Sequence, residues 1–267
     1  MARAICVKNI LNWEYEMIDN TQFVIIASGK NNQDWMDRHL KSVLVQNYKN
    51  YLYFYLNDNG TDDTINIYNK LVKKDDRFNI INNIDEEKTA DFNTKIRLEL
   101  FKNSNFSDET VFVYLDGDDW FFSTDVLEYL NDVYKEEDVW LTYGNFIEYP
   151  SGLKSSIITE YPPGVVQNKL YRKDAWRASH LKTFKKKIAK NLEVSDFLVG
   201  DNLTFVGDQA IMFPMLEMAN GKHKCLKKIL YVYNRKNVNY DSNAEMAKKM
   251  VQQEMLLRAK PIRETII

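Results

Sequence analysis

Three aspartates stand within four positions of the chain, directly after a short apolar run, and such a cluster can hold a metal ion. Residues 111–115 are Val, Phe, Val, Tyr and Leu, a pattern typical of a strand buried on both faces. Asp116, Asp118 and Asp119 follow at its carboxyl end, where open α/β sheets bind ligands. Their repulsion is costly unless a hard cation lies among the oxygens, and Gly117 would allow the tight turn that brings them to one ion. The alternative is a turn of solvated acids, because Asp and Gly favour turns anyway.

The composition indicates a protein with a substantial core and no bulk affinity for polyanions. Of the 267 residues, 45% are hydrophobic and 13% aromatic, and the formal net charge is -2. Cys6 and Cys225 are far apart in sequence, which favours reduced thiols over a disulfide framework. No apolar stretch approaches the roughly 18 residues of a membrane span, and polar residues interrupt any signal-peptide core near the N-terminus. We therefore expect a soluble, cytoplasmic protein.

The first half of the chain alternates between strand and helix patterns. Strands are predicted at residues 23–27, 51–56, 78–81 and 111–115, with helices at 35–47, 64–74 and 92–101 between them. This βαβαβαβ order predicts an α/β fold with a mostly parallel sheet flanked by helices. The loops 28–34, 57–63, 83–90 and 116–120 would then open at one carboxyl edge of the sheet.

The second half has a different character and suggests an acceptor-binding half of the same domain. A basic run extends from Arg172 to Lys190, an apolar helix is predicted at 210–218, and closing strands at 226–233. We interpret residues 21–240 as a single domain, with a nucleotide-binding half at 21–122 and an acceptor-binding half at 123–240. Residues 1–20 would be peripheral, and 241–267 would form a C-terminal amphipathic helix.

Four motifs in order resemble glycosyltransferase family 2, whose members have the Rossmann-like GT-A fold. They are FVIIASG at 23–29, SVLVQNY at 42–48, DNGTD at 58–62 and DGDD at 116–119. The resemblance covers about residues 21–240. The stretches 179–184 and 207–217 are similar to a branch of the family found in bacteria and large viruses or phages. Two positions depart from the family pattern: Lys30 replaces a frequent Tyr, and Asn57 replaces the first of two usual acids.

The resemblance implies transfer of a sugar from a nucleoside diphosphate, with UDP expected, to an acceptor hydroxyl. Mn2+ or Mg2+ is the implied cofactor, because a cation held by carboxylates neutralises the departing diphosphate and hard oxygen ligands suit these ions. Asp118 and Asp119 are the first choices for metal contact. Asp116 would face the metal or the donor ribose.

Asp208 matches the acid that the family uses as general base. A carboxylate that deprotonates the attacking hydroxyl on the face opposite the leaving group implies inversion at the anomeric carbon. Without the resemblance, Asp208 would be interpreted as an ordinary N-cap, because it follows Gly207 at the predicted start of a helix.

The resemblance also places residues around the donor. They are Ala27, Ser28 and Lys30 in the first loop, Asp58 at the nucleobase, Lys88 near the nucleotide, Trp120 under the sugar and His180 near the phosphates or acceptor. Each has a simpler interpretation: a turn residue for Asp58, a solvated lysine for Lys88 and a half-buried packing residue for Trp120. We expect His39 at the surface, and His223 is an alternative late metal ligand.

The acceptor has two interpretations. The family favours a glycan, a lipid-linked saccharide or a glycoprotein. The alternative is a hydroxymethylated DNA base, since the run from Arg172 to Lys190, with Trp176 and Phe184, could follow phosphates and stack a flipped base. Against this, a run of lysines on a helix is commonly just a solvated face.

Two further functions are more remote. A metal-dependent nucleotidyl or phosphoryl transferase also groups carboxylates at strand ends, but the chain has no Gly-rich phosphate loop with Lys and Ser or Thr. A binding protein without catalysis is disfavoured, because every acid needed for the chemistry is present.

Overall fold

The computed structural model describes residues 20–83, 89–237 and 244–266, with side chains from residue 92 onward in the second stretch. The predicted peripheral segment therefore lies almost entirely outside the described residues, as do Cys6 and Lys88. The strands of the described part are β1 (Phe23–Gly29), β2 (Tyr51–Asn57), β3 (Phe78–Asn82), β4 (Val111–Tyr114), β5 (Trp120–Phe121), β6 (Leu141–Tyr149), β7 (Lys182–Lys185), β8 (Leu198–Val199), β9 (Asn202–Leu203) and β10 (His223–Asn234). Its helices are α1 (Gln33–Leu44), α2 (Thr64–Val72), α3 (Thr89–Asn103), α4 (Val126–Glu136), α5 (Pro163–Gln167), α6 (Lys186–Ala189), α7 (Val194–Phe197), α8 (Gly207–Met218) and α9 (Ala244–Arg258), with a 3₁₀ turn at Leu170–Arg172.

Eight of these strands form one mixed sheet in the order β3-β2-β1-β4-β7-β6-β10-β5. Strands β1 to β4 run parallel to one another, and β6 runs parallel to β10. In contrast, β7 is antiparallel to both β4 and β6, and β5 is antiparallel to β10. The short strands β8 and β9 form a separate hairpin. The predicted α/β architecture with a mostly parallel sheet is confirmed.

The central strands are buried along their whole length. All seven residues of β2 and all four of β4 are buried, as expected of parallel strands covered on both faces. The helix α1 buries Met36, His39, Leu40 and Val43, which recur at helical spacing on one face. The expectation of a surface His39 is therefore wrong. Position 39 lies three residues after Met36 and four before Val43, on the face that packs against the sheet.

The basic run from Arg172 to Lys190 does not form a solvated helical face. Its central part is β7, which lies in the middle of the sheet and whose four residues are all buried. Five of its cations form the following ion pairs within the chain, of which the last is at the surface: Arg172–Glu217, Lys182–Asp208, Lys185–Glu109, Lys187–Glu109 and Lys190–Asp108. Phe184 is fully buried and cannot stack on a base. The structure thus weakens the basis of the DNA-base alternative, although Lys173 and Lys190 remain exposed.

The C-terminal helix α9 packs against the acceptor half. Leu257 is fully buried, and the guanidinium of Arg258 donates to the backbone carbonyl oxygens of Arg172 and Asp174. The Gln253 side chain accepts hydrogen bonds at 2.8 Å from Thr204 Oγ1 and the backbone N–H of Phe205. The helix is therefore positioned next to the loop that leads into α8. Within the described residues, no helix combines the length and apolar character of a membrane span.

Candidate active site

The acid motif lies at the carboxyl edge of the sheet, packed closely against the end of β1. The backbone N–H of Gly117 donates to the carbonyl oxygen of Ser28 at 3.0 Å. A Cβ added at Gly117 would lie 2.7 Å from that oxygen and 2.7 Å from Asn32 Nδ2. Gly117 does not adopt the left-handed backbone region. The predicted turn is present, since the N–H of Asp119 donates to the carbonyl oxygen of Asp116 at 3.0 Å. What requires glycine at position 117 is the close approach of two backbones and not a left-handed conformation.

Asp119 holds the motif to the rest of the protein. Its side chain is almost fully buried; Oδ2 accepts a 2.5 Å hydrogen bond from the Tyr231 hydroxyl and Oδ1 a 2.7 Å bond from the Asn234 N–H. The backbone oxygen of Asp119 is 2.6 Å from His39 Nδ1, which must donate because a carbonyl can only accept. Burial, with the nearby charges of Asp118 and Asp116, holds the pKa of Asp119 well above its usual value. Both carboxylate oxygens of Asp119 have partners within the chain, and its role as a metal ligand stays a prediction.

Asp116 and Asp118 are the more accessible acids of the motif. The Asp116 side chain is 41% exposed. Asp118 is part-buried, and its Oδ2 accepts a 2.8 Å hydrogen bond from Asn237 Nδ2. Burial, reinforced by the charge of Asp116, raises the pKa of Asp118. Across residues 20–83, 92–237 and 244–266, no three His, Cys, Asp or Glu side chains form a group that could hold a metal ion by itself.

Asp208 lies in the first turn of α8, and its carboxylate is 40% exposed. It is not the N-cap, because that position belongs to Val206, so the capping interpretation is wrong. Its Oδ1 is 2.8 Å from Lys182 Nζ, and its Oδ2 is 3.9 Å from His180 Nε2. Burial acts to raise the pKa of Asp208, but the ammonium of Lys182, helped by His180, outweighs it and leaves the pKa below its usual value. The carboxylate is therefore anionic and partly open to solvent, as a general base must be.

A cleft of about 650 Å³ connects Asp208 with Asp116. Its polar lining includes three atoms that are buried and have no hydrogen-bond partner in the described part of the chain, the Tyr114 hydroxyl, Gln209 Oε1 and Arg97 Nε. Buried polar groups in folded proteins normally have partners. The residues that line the cleft thus carry polar groups whose hydrogen-bonding capacity the described part of the chain leaves unused.

His180 lies between the two acids that face the cleft. Its Nδ1 is 3.8 Å from Asp116 Oδ2, and its ring stacks on Tyr231 and Tyr233 with centroids 4.7 and 5.4 Å apart. Burial, together with the neighbouring Lys182 charge, lowers the pKa of His180 to about 4. The imidazole is thus neutral at physiological pH, and a ring nitrogen of His180 can serve as a hydrogen-bond donor or acceptor for a ligand.

Residues 24–193, more than half of the chain, match the family model "Glycosyl transferase family 2". The chain belongs to glycosyltransferase family 2. No curated protein matches it at a significant level. Among solved structures, it is similar to S. aureus TarS residues 1–349 in complex with UDP-GlcNAc, with a TM-score of 0.61 and 14% identity over 89% of this chain and 70% of that one.

Two further structures are similar at comparable levels. The mannosyltransferase PcManGT from Pyrobaculum calidifontis, in complex with GDP-Man and Mn2+, gives a TM-score of 0.55 and 13% identity over 94% of this chain and 75% of that one. Glucosyl-3-phosphoglycerate synthase from Mycobacterium tuberculosis, in complex with Mn2+, UDP and phosphoglyceric acid, gives a TM-score of 0.56 and 10% identity over 91% of this chain and 80% of that one. Identities this low show the fold, which is GT-A as the resemblance implied. The protein is a nucleotide-sugar glycosyltransferase.

The predicted donor residues of this transferase are distributed around the same sheet edge. Ala27 is fully buried, so only its backbone could meet a nucleotide, and Ser28 Oγ accepts a 2.9 Å hydrogen bond from Arg97 Nη2. Lys30 is exposed in the loop after β1. Asp58 is buried at the end of β2, where it accepts a 2.9 Å bond from Asn83 Nδ2.

Trp120 and His223 are packed against other side chains of the protein. Trp120 is 8% exposed, stacks against Trp35 at 6.4 Å, and has the Arg38 guanidinium 4.7 Å from its ring centroid. It is absent from the lining of the cleft, so the packing interpretation of Trp120 fits better than a sugar floor. The Nε2 of His223 is 2.9 Å from the Tyr171 hydroxyl, and burial lowers the pKa of His223 to about 4.

Sequence reasoning missed three residues of this site. Lys182 was one member of the basic run, although it stands two positions after His180 in a stretch that carries the resemblance. Arg97 lies on the predicted helix after the third strand. Its position between the apolar residues Ile96 and Leu98 was the one local indication that its side chain faces the interior. Tyr231 sits in a closing strand, and nothing in the sequence indicated that its hydroxyl reaches Asp119.

Proposed function

We propose that the protein is a metal-dependent, inverting transferase that moves a sugar from a uridine diphosphate donor to an acceptor hydroxyl, with Asp208 as the general base. The observation that carries the proposal is the placement of an anionic, partly exposed Asp208 in the same cleft as Asp116. Similar folds bind UDP-GlcNAc in TarS and UDP with Mn2+ in the mycobacterial synthase, which supports both donor and cation.

The residues present fit a divalent cation shared with the donor. Asp116 and Asp118 supply hard carboxylate oxygens. Burial, reinforced by the charge of Asp116, raises the pKa of Asp118, and a cation would stabilise its ionised form. Mn2+ and Mg2+ sites in transferases commonly use one or two carboxylates and complete their shell with substrate phosphates. Bound there, the ion would act as a Lewis acid that neutralises the leaving diphosphate. Asp119 would hold the motif in place from behind.

The chain's own groups account for proton removal and donor placement. Asp208 takes the proton from the acceptor hydroxyl as the oxygen attacks the anomeric carbon, and the bond to the diphosphate breaks on the opposite face, which inverts the anomeric configuration. Arg97 lines the cleft with an unpartnered Nε, and its charge suits the diphosphate of the donor.

For the acceptor, we favour a carbohydrate over DNA. The lining of the cleft includes the aromatic side chains of Phe146, Trp176, Phe205 and Tyr233, and aromatic faces suit the apolar face of a sugar ring. Much of the basic run that suggested DNA is engaged in ion pairs, as described above. A glycan, a lipid-linked saccharide or a glycoprotein therefore remains the acceptor class that we propose.

The test is donor hydrolysis, in which water replaces the acceptor. The purified protein is incubated with Mn2+ and a panel of UDP- and GDP-sugars, and free nucleotide is measured with and without EDTA. Asp208→Asn is expected to lower the turnover number about 10²–10⁴-fold, the usual contribution of a general base, while calorimetric affinity for UDP stays unchanged. Asp201→Asn, the same charge removal at an exposed turn, is the control. Loss of UDP affinity in parallel with turnover would contradict the base role of Asp208.

A further inference from the structure

A buried lysine contacts the proposed base. Lys182 is 1% exposed, and lysines are almost never fully buried unless they are paired. Its Nζ is 2.8 Å from Asp208 Oδ1 and 3.0 Å from His180 Nδ1. Nothing in the family's sugar-transfer chemistry, as derived above, needs an ammonium at the side of the base.

We propose that Lys182 is a positioning residue, which fixes one oxygen of the Asp208 carboxylate and preserves its negative charge, so that the other oxygen is presented to the acceptor. This inference rests on the proposed role of Asp208 as the base.

The two side chains are attached to rigid elements. Lys182 begins β7, where it pairs with Tyr114 of β4, while the next residue, Thr183, pairs with Thr142 of β6. Asp208 belongs to α8, in which every residue from Gln209 to Met218 is buried. The Lys182–Asp208 contact is therefore set by the packing of a helix against the central sheet, and not by two mobile surface chains.

The charges around Asp208 come from several elements, and Lys182 has the largest effect among the cations. Lys182 on β7 lies buried behind Asp208 and does not line the cleft. The titratable and charged groups that line this end of the cleft are His180, Arg97 on α3, Tyr114 and Asp116 at the end of β4, Tyr233 and Arg235 at the end of β10, and Glu254 on α9. Burial opposes ionisation of Asp208, and the ammonium of Lys182 favours it most, followed by the His180 ring and by Arg97. Without Lys182, burial would be opposed only by weaker influences.

Lys182 also determines the proton position on His180. An ammonium has donors only, so Nδ1 of His180 must accept, and the neutral ring carries its proton on Nε2. That N–H lies on the side of Asp208 Oδ2, at 3.9 Å, where a hydroxyl could be held between the two groups. One lysine thus orients both side chains next to the attacking oxygen.

The test compares pH profiles of donor hydrolysis for wild type, Lys182→Met, Lys182→Gln and Lys182→Arg, using the nucleotide sugar that wild type hydrolyses fastest with Mn2+. Loss of an opposite charge at this distance moves a carboxyl pKa by about one to three units. The acid limb of the pH profile is the range in which the hydrolysis rate falls as Asp208 becomes protonated. In the Met and Gln variants this limb should move to a pH about one to three units higher, with the donor KM unchanged. Lys182→Arg, which keeps the positive charge, should retain the wild-type pH profile. Lys185→Met, a buried lysine of the same strand that pairs with Glu109, is the matched control and should leave the profile in place.

A double variant separates this proposal from the proposed function. In an Asp208→Asn background, Lys182→Met should cause no further loss, because the charge on which it acts is gone. If Asp208→Asn hydrolyses the donor like wild type, the base assignment fails. If Asp208→Asn is inactive but the acid limb stays in place in Lys182→Met, or in Lys182→Gln should the Met variant not fold, the role of Lys182 alone is refuted.

Discussion

Mild acid should destabilise this protein through His39. The side chain is fully buried in α1; Nδ1 donates to the Asp119 carbonyl oxygen at 2.6 Å and Nε2 accepts from the Tyr53 hydroxyl at 2.7 Å. Both contacts fix a neutral ring, because a protonated Nε2 could no longer accept. Burial, only partly offset by the Asp119 carbonyl, lowers the pKa of His39 from 6.5 to about 4.

The sign and size follow from proton linkage. The unfolded chain has the higher histidine pKa, so between pH 6.5 and 4 it binds the proton that the folded protein excludes, and the free energy of unfolding falls as the pH falls. With a pKa of 6.5 in the unfolded chain and about 4 in the folded protein, His39 alone lowers the free energy of unfolding by about 2 kcal/mol between pH 7.5 and 5.0.

The assay is urea unfolding at both pH values in EDTA, for wild type and two variants. His39→Asn places an amide N–H donor near the Nδ1 position, His39→Gln places an amide oxygen acceptor near the Nε2 position, and neither side chain titrates. His180 and His223 remain in all three proteins. Wild type should lose about 2 kcal/mol more than either variant between pH 7.5 and 5.0, whatever their absolute stabilities. Equal losses in the three proteins would refute the assignment of a buried, neutral His39.

Three further outcomes are expected. Gly117→Ala should lower the free energy of unfolding in urea by about 1–3 kcal/mol and reduce donor hydrolysis, because the added Cβ would lie 2.7 Å from the Ser28 carbonyl oxygen. Gly164→Ala is the control and should keep its activity, because no atom lies within 4 Å of the added carbon. Arg172→Met should cost about 3–5 kcal/mol, since it leaves the fully buried Glu217 without its cation, and Glu217→Gln in the same chain should recover part of that loss. In gel retardation at low salt, a short DNA duplex should not be bound; an affinity that falls steeply with added salt would restore the DNA interpretation.

The sequence predicted the sheet where burial was visible in the residues themselves. Strands β1 to β4 read as nearly continuous apolar runs, because parallel strands are covered on both faces. The same reasoning could not find β7, whose sequence KTFK is half lysine. Lys182 and Lys185 can be buried there only because Asp208 and Glu109 reach them from other parts of the chain, and such partners are invisible to a local pattern.

The candidate site shows the same division. The acid motif could be located from its place after a strand, but not the separate environments of its members. The carboxylate oxygens of Asp119 accept hydrogen bonds from Tyr231, which is 112 residues away in sequence, and from Asn234. The exposure of Asp116, in contrast, depends on the cleft that α8 and α9 complete. Which aspartate can reach a ligand is therefore a property of the tertiary structure.

The proposed divalent cation would have two kinds of carboxylate to choose between, and the difference between them would direct it. Burial, reinforced by the charge of Asp116, raises the pKa of Asp118, and a cation bound as proposed would be stabilised by both carboxylates. The Asp208 carboxylate is already compensated by Lys182 at 2.8 Å, and a second cation there would be repelled by the ammonium. The buried lysine thus has a consequence for the metal as well as for the base. In the proposed mechanism it would keep Asp208 available for the acceptor proton, because the cation would be left to the acids at the end of β4.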